Sequence, residues 1–196
     1  MKSLRAGELI FKEYLQGHFQ VSDSAWGLTR DHVGLLDLPA GEYFVREGKI
    51  CRHLGFIAEG VMRYSRFEES GDETTCYFVS ETDFVGDPVS FDARKPSTMN
   101  IQAITDCVLV TISYEANQKL LKTVPRHREL LASIDRKTTM DLMRQREFLM
   151  NRDAASKYRY FIEHYPHILQ RVPLGHVASF LDITQQSLSR LRKKSV

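Results

Sequence analysis

Leu174-Gly-His-Val-Ala-Ser-Phe-Leu-Asp-Ile-Thr-Gln-Gln-Ser-Leu-Ser-Arg-Leu-Arg-Lys-Lys194 reads as a helix, a turn and a second helix. Pro173 is suited to open the first helix, whose inward side takes Val177, Ala178 and Leu181. Ala178 is small where a second helix has to cross closely. Asp182 makes the turn, since aspartate tolerates a left-handed backbone better than most residues. Thr184 is a natural N-cap for the second helix, because its hydroxyl can accept a backbone N–H that the first turn leaves without a partner. At about 100° per residue, Gln185, Gln186, Ser189, Arg190 and Lys193 fall inside one arc of roughly 140°, with Leu188 and Leu191 on the far side. Glutamine can pair bidentately with adenine and arginine with O6 and N7 of guanine, so the arc has the chemistry of a base-reading face. Arg192, Lys193 and Lys194 suit backbone phosphates better than bases. The plainer reading is an amphipathic hairpin with a solvated basic face. Against it stands the coincidence, at fixed offsets, of small residue, turn, cap, apolar pair and Gln/Arg face.

Charge is distributed in the same sense. Residues 1–151 carry 19 Lys+Arg against 22 Asp+Glu, a net of −3, and residues 152–196 carry 8 against 3, a net of +5. A basic last quarter attracts a polyphosphate backbone. With 42% hydrophobic residues in 196, the chain reads as soluble and globular, one large domain or two small ones. Apolar runs such as Cys107 to Val110 fall far short of the roughly 20 residues that span a bilayer, and charges interrupt the N-terminus MKSLRAGELIFKEYL; neither a secretion signal nor a membrane span is expected. Cys51, Cys76 and Cys107 are odd in number and far apart, so they read as buried thiols in a reducing cytoplasm.

From about Leu4 to Leu36 the pattern is mostly that of short helices, with breaks at Gly17 and Gly27. From Leu38 to Ser113 short β-branched and aromatic runs alternate with Gly, Pro and Asp. Strands are expected at Tyr43–Val45, Leu54–Ile57, Val61–Tyr64, Thr74–Val79, Ile101–Ile104 and Val108–Ile112, with tight turns at Gly41, Gly48, Gly60 and Gly71. Arg126 to Met150 predicts one long helix. Leu131, Ile134, Leu142 and Leu149, with Thr138 and Gln145, form a stripe on it that can meet the β-region or a second copy.

At this level of detail RVPLGHVASFLDITQQSLSRLRKK resembles the helix-turn-helix of the cyclic-AMP receptor protein/Fnr family of bacterial regulators. LPAGEYFVREGKICRHLGFIAEGVMRYS is similar to that family's first β-roll strands, and FVGDPVSFDARKPSTMNIQAI stands in the place of its phosphate-binding cassette. The resemblance runs from about Leu36 to Lys194. It implies an α+β chain: an antiparallel, jelly-roll-like β-roll sensor domain with flanking helices over 1–122, a connecting and dimerising helix over 123–151, and a helix-turn-helix DNA-binding domain over 152–196. It assigns Thr184 to a phosphate contact and Gln185, Gln186 and Arg190 to base reading. Asp182 departs from the family's turn glycine, and the short connection Tyr165–Val172 leaves little room for the usual β-wing. In the cassette the family has a Gly-Glu pair for the ribose and an Arg-Ser pair for the cyclic phosphate; here Gly86-Asp87 and Ser97-Thr98 stand at that spacing, with Arg94 nearby. Without the arginine's bidentate contact, cyclic-nucleotide binding in the family's manner is expected to be lost or greatly weakened. Another small-molecule effector, or none, is left open, and no cofactor is called for.

The partners so implied are double-stranded DNA, a second copy of the chain and RNA polymerase. An enzyme is not expected: among the seven histidines only His53 falls among the expected strands, next to Leu54–Ile57 and without a paired ligand, and no nucleophile elbow, P-loop or dinucleotide-binding glycine pattern occurs. An iron–sulfur sensor needs clustered cysteines that are missing. The alternative to a DNA-binding regulator is a non-enzymatic β-roll module that acts on a protein partner.

Overall fold

The computed structural model describes residues 2–150 and 152–194. Its strands are β1 (Val33–Leu38), β2 (Tyr43–Val45), β3 (His53–Glu59), β4 (Met62–Phe67), β5 (Glu73–Val79), β6 (Phe84–Val85), β7 (Asn100–Ala103) and β8 (Cys107–Ser113). They form antiparallel sheets in the orders β1-β8-β3-β6 and β2-β7-β4-β5, packed face to face. The non-sequential pairing is that of a β-roll, with flanking helices α1 (Lys2–Phe19), α2 (Asp23–Thr29), α3 (Pro88–Ala93) and α4 (Tyr114–Thr123). The α+β class follows.

Alternation along the strands explains what fills each layer. Ile57 of β3 and Cys107 and Leu109 of β8 point between the sheets, where they meet Met62, Ile101, Ala103 and Val79. Phe56 and Ala58, with Val108 and Val110, point the other way and are covered by Phe11 and Tyr14 of α1. With both faces covered, the middle of β3 is apolar without interruption. Gly7 lets α1 lie close, since a β-carbon there would stand 3.2 Å from both Ala58 and Val108. Gly60, at φ +113° between β3 and β4, has no room for any side chain: a β-carbon would meet the Cys107 Sγ at 2.4 Å and the Asp106 carbonyl at 2.7 Å.

One expectation needs correction. The segment Leu4 to Leu36 is not all helical, because Val33–Leu38 forms the edge strand β1, paired with β8 from Val33↔Ile112 to Leu38↔Cys107. Its hydrogen-bonding partner comes from the far end of the roll, and no local periodicity announces it. The short β6 and helix α3 were likewise not among the expected elements, although Asp87-Pro88 is a local helix-start signal. Asp87 caps α3 by accepting from the Ser90 N–H at 3.0 Å, and Pro88 follows at its first turn.

After Pro125, helix α5 runs from His127 to Leu149, its start tied to α4 by His127 Nε2 and Asn117 Oδ1 at 2.9 Å. Then come α6 (Ala154–His164), α7 (Pro166–Leu169), α8 (Leu174–Phe180) and α9 (Gln185–Lys194). Asp153 caps α6 through the Ser156 N–H at 2.9 Å. These C-terminal helices do not close a core of their own. Phe161, Ile168, Val177, Phe180, Leu181 and Leu188 share one apolar cluster with Val61 and Phe78 of the β-roll. No helix among the described residues is long and apolar enough to cross a membrane.

Candidate nucleic-acid interface and sensor cassette

Helices α8 and α9 are held at their crossing by Val177, Ala178, Leu181 and Leu188, all buried. The turn between them places Asp182 at φ +53°, the left-handed conformation that aspartate tolerates, and lets the Ile183 N–H reach the Ala178 carbonyl at 3.0 Å. Thr184 accepts the Ser187 N–H on Oγ1 at 3.2 Å and so caps α9. The Ser187 hydroxyl in turn accepts from Thr184 Oγ1 at 3.0 Å and from Arg190 Nη2 at 3.3 Å, which folds Arg190 back over the first turn of the helix. Thr184, Gln185, Gln186, Ser189, Arg190, Arg192 and Lys193 are all exposed, while the Lys194 side chain lies outside the described residues. Gln185 lies along α8 because Gly175 has no side chain: a β-carbon there would stand 2.6 Å from its Nε2. The result is a capped helix N-terminus whose amides, glutamines and arginine face solvent together, with the partial positive charge of the helix end behind them. The connection 165–172 is occupied by α7, with Ile168 and Val172 buried, and no strand follows β8 among the described residues.

In the cassette position, β6 and α3 present Gly86 and Asp87 toward Tyr64 of β4. Gly86 donates its N–H to the Tyr64 hydroxyl at 2.8 Å, and that hydroxyl donates to the Gly86 carbonyl at 2.9 Å. One phenol thus takes both polar groups of the glycine. The Tyr64 ring stacks on Tyr77 of β5, centroids 4.0 Å apart, and burial pushes both phenols far above their ordinary range. Ser97 is buried and occupied with its own chain, donating to the Met99 carbonyl and accepting the Met99 N–H. Thr98 is exposed. Arg94, at φ +55° after α3, turns outward: its guanidinium lies 4.8 Å from the centre of the Tyr114 ring and reaches the Cys51 carbonyl at 3.4 Å. The expected effector residues other than Thr98 are each engaged elsewhere: Gly86 with Tyr64, Asp87 with Ser90, Ser97 with Met99, and Arg94 with Cys51 and the Tyr114 ring.

A family model described as "Cyclic nucleotide-binding domain" matches residues 35–124. No curated protein sequence matches the chain. Among solved structures, FixK2 from Bradyrhizobium japonicum superimposes with a TM-score of 0.70 at 11% identity, over 83% of each chain. The c-di-GMP-responsive global regulator CLP of Xanthomonas campestris gives 0.67 at 19% identity, over 88% of this chain and 91% of that one. A transcriptional regulator of the Crp/Fnr family from Eubacterium rectale gives 0.70 at 16%, over 93% and 87%. The fold of the chain is that of the Crp/Fnr regulators.

Beside the β-roll, α5 stands off and leaves a cleft of about 1020 Å³, lined on one side by Phe11, Phe56 and Phe84 and on the other by Ile134, Leu142 and Gln145. The stripe Leu131, Ile134, Thr138, Leu142, Gln145 and Leu149 is half-buried or buried, turned toward its own chain. Gln145 donates to the Tyr165 hydroxyl at 2.8 Å. The large apolar side chains that the same helix exposes are Met140 and Met143.

Sequence reasoning missed how the β-roll holds the C-terminal helices. The Thr75 N–H of edge strand β5 donates to Ser179 Oγ of α8 at 2.9 Å, and Arg63 of β4 meets His176 of α8 at 3.1 Å. Arg171 pairs with Glu81 at 2.8 Å, and His167 Nε2 lies 3.0 Å from Ser80 Oγ. A buried arginine in a strand was the available hint, but the sequence does not say which residue, 113 positions away, answers it.

Proposed function

We propose that the protein is a sequence-specific, DNA-binding transcription regulator that acts as a homodimer, with a β-roll sensor over 1–122, a pairing helix over 123–151 and a DNA-binding domain over 152–196. The observation that carries this reading is the exposed, Thr184-capped face of α9 with Gln185, Gln186, Ser189 and Arg190. Such a face enters a major groove by its N-terminal end, while Arg192, Lys193 and Lys194 meet phosphates. Pairing along α5 would set two copies of α9 about 34 Å apart, one helical turn of DNA, with exposed Met140 and Met143 on the outer side of α5 available to the contact and the stripe Leu131, Ile134, Thr138, Leu142, Gln145 and Leu149 turned to its own chain. The protein would work in the cytoplasm as a regulator and not as an enzyme, with RNA polymerase as its second macromolecular partner. Selection from a random duplex pool is expected to enrich a near-palindrome, and affinity for it should fall steeply as salt rises. A pool that shows no enrichment at low salt would overturn the reading.

The sensor does not take a cyclic nucleotide in the way the family's Arg-Ser pair does. Tyr64 occupies both polar groups of Gly86, and no arginine faces the cassette from Ser97 or Thr98. Any effector bound near Gly86, Asp87, Arg94, Ser97 and Thr98 has to displace that phenol or use the cleft beside α5. Cyclic AMP at about 1 mM is therefore expected to leave the melting temperature unchanged, whereas a ligand at a hundred times its Kd would add about 2.7 kcal/mol to stability. A clear upward shift in a thermal melt would refute the assignment.

A further inference from the structure

Arg63 is 4% exposed, and its guanidinium is fully committed. Nε and Nη2 donate to Gln102 Oε1 at 3.1 and 2.8 Å, Nη2 donates to Glu73 Oε2 at 2.6 Å, and Nη1 donates to Thr75 Oγ1 at 3.3 Å. The remaining partner of Nη1, at 3.1 Å, is Nδ1 of His176 on α8. A guanidinium has only donors. His176 Nδ1 must then turn a lone pair toward Arg63, so the imidazole is neutral and carries its proton on Nε2. Adding a proton to Nδ1 would set N–H against N–H and bring two cations together in a site half closed to water.

We infer that the His176–Arg63 contact is a proton-operated clasp, which holds α8 and the α9 it carries on the β4–β5 edge at neutral pH and releases them in mild acid. The charged groups that face His176 from the packed elements are Arg63 on β4 and Glu73 on β5, and α8 contains no other titratable side chain. Burial first, and Arg63 second, depress the His176 pKa below its ordinary 6.5; Glu73, already engaged by Ser65 and Arg63, opposes them without reversing the shift. The docked state therefore binds fewer protons than the released state. Docking is at full strength above the ordinary value and weakens as pH falls through 6.5 toward the docked pKa.

The neighbouring contacts lack this property. His167 meets a serine hydroxyl, which can accept as readily as donate, so that contact tolerates a proton on the ring. Burial pushes Glu81 up, but hydrogen bonds from Arg171 and the Gly60 N–H outweigh it and hold the carboxyl below its usual range, so this ion pair persists in mild acid. Of the two interface histidines, only His176 faces a partner that can do nothing but donate.

The Thr75 amide provides a local reporter, since its acceptor, Ser179 Oγ, sits across the interface on α8. Amide hydrogen exchange of the full-length protein, corrected for intrinsic rates, would be followed over β5 and α8 at about pH 7.5 and about pH 5.5, where the wild type should lose several-fold in protection, up to about tenfold, the ceiling set by the one unit between pH 5.5 and the ordinary 6.5. His176→Asn places a non-titrating Oδ1 where Nδ1 stands and should keep its protection at both pH values. His176→Lys, a permanent cation, should be less protected than the neutral-pH wild type at both values. Equal wild-type protection at the two pH values, or an Asn variant as acid-sensitive as the wild type, would overturn the clasp. If the Asn variant fails to fold by far-UV circular dichroism, imidazole NMR of the wild type decides: a neutral Nε2–H tautomer titrating below 6.5 supports the clasp, and an Nδ1–H tautomer overturns it.

Discussion

Phe78→Ala is expected to destabilise the protein by about 3–5 kcal/mol, the range for emptying a buried aromatic site. The larger consequence is where the loss is felt. Phe78 belongs to a β-strand, yet its ring packs against Phe180 at 5.4 Å and Phe161 at 6.2 Å between centroids, inside the cluster that forms the core of the C-terminal helices. The variant should therefore lose exchange protection in α6 and α8 as well as in β5. Phe91→Ala, which empties the cluster between the sheets, should spare the C-terminal helices at a similar cost. Denaturant titration with residue-resolved hydrogen exchange separates the two patterns; a Phe78→Ala protein with wild-type protection in α8 would show that the helices keep a core without the roll.

The double variant Gln185→Ala/Arg190→Ala is expected to lose about 2–6 kcal/mol of discrimination between the selected duplex and random DNA, about 1–3 kcal/mol for each bidentate base contact. Neither side chain is buried, and neither supports the fold except through the Arg190–Ser187 contact, so the melting temperature should hardly move. The salt dependence of the remaining affinity should drop by less than the specificity, because Arg192, Lys193 and Lys194 continue to neutralise phosphates. Competition binding at two salt concentrations measures both quantities. Unchanged sequence preference in the double variant would move base reading off α9, and a protein partner would then become the better account of its exposed face.

These expectations also bear on how an effector signal could travel. Tyr64 holds Gly86 and stacks on Tyr77, while the adjacent residues Arg63 and Phe78 on the same strands reach His176 and Phe180. Adjacent residues on a strand point to opposite faces. One sheet therefore separates the cassette from the helix-turn-helix, and a change in how Tyr64 is held has a short mechanical path to α8.

The amino-acid sequence by itself determined the parts whose causes are local. The turn at Asp182, the Thr184 cap and the division of α9 into Leu188 on one side and Gln185, Gln186, Ser189 and Arg190 on the other depend on residues within a few positions of one another, and the structure reproduces them. The same holds for the glycine-punctuated strands and the length of α5. Only the tertiary structure decided the rest. The strand β1 exists because β8 supplies its hydrogen bonds, the phenol of Tyr64 takes the polar groups of a glycine 22 positions away, and α8 is fixed by contacts at separations of 104 and 113. Helical periodicity marks which side of α5 is apolar but not what that side meets, so the stripe from Leu131 to Leu149 could be read as a pairing face although it turns toward its own cleft. Local chemistry sets an element and its faces; which faces meet depends on how the whole chain minimises exposed apolar area and unpaired donors, and no short window of sequence contains that information.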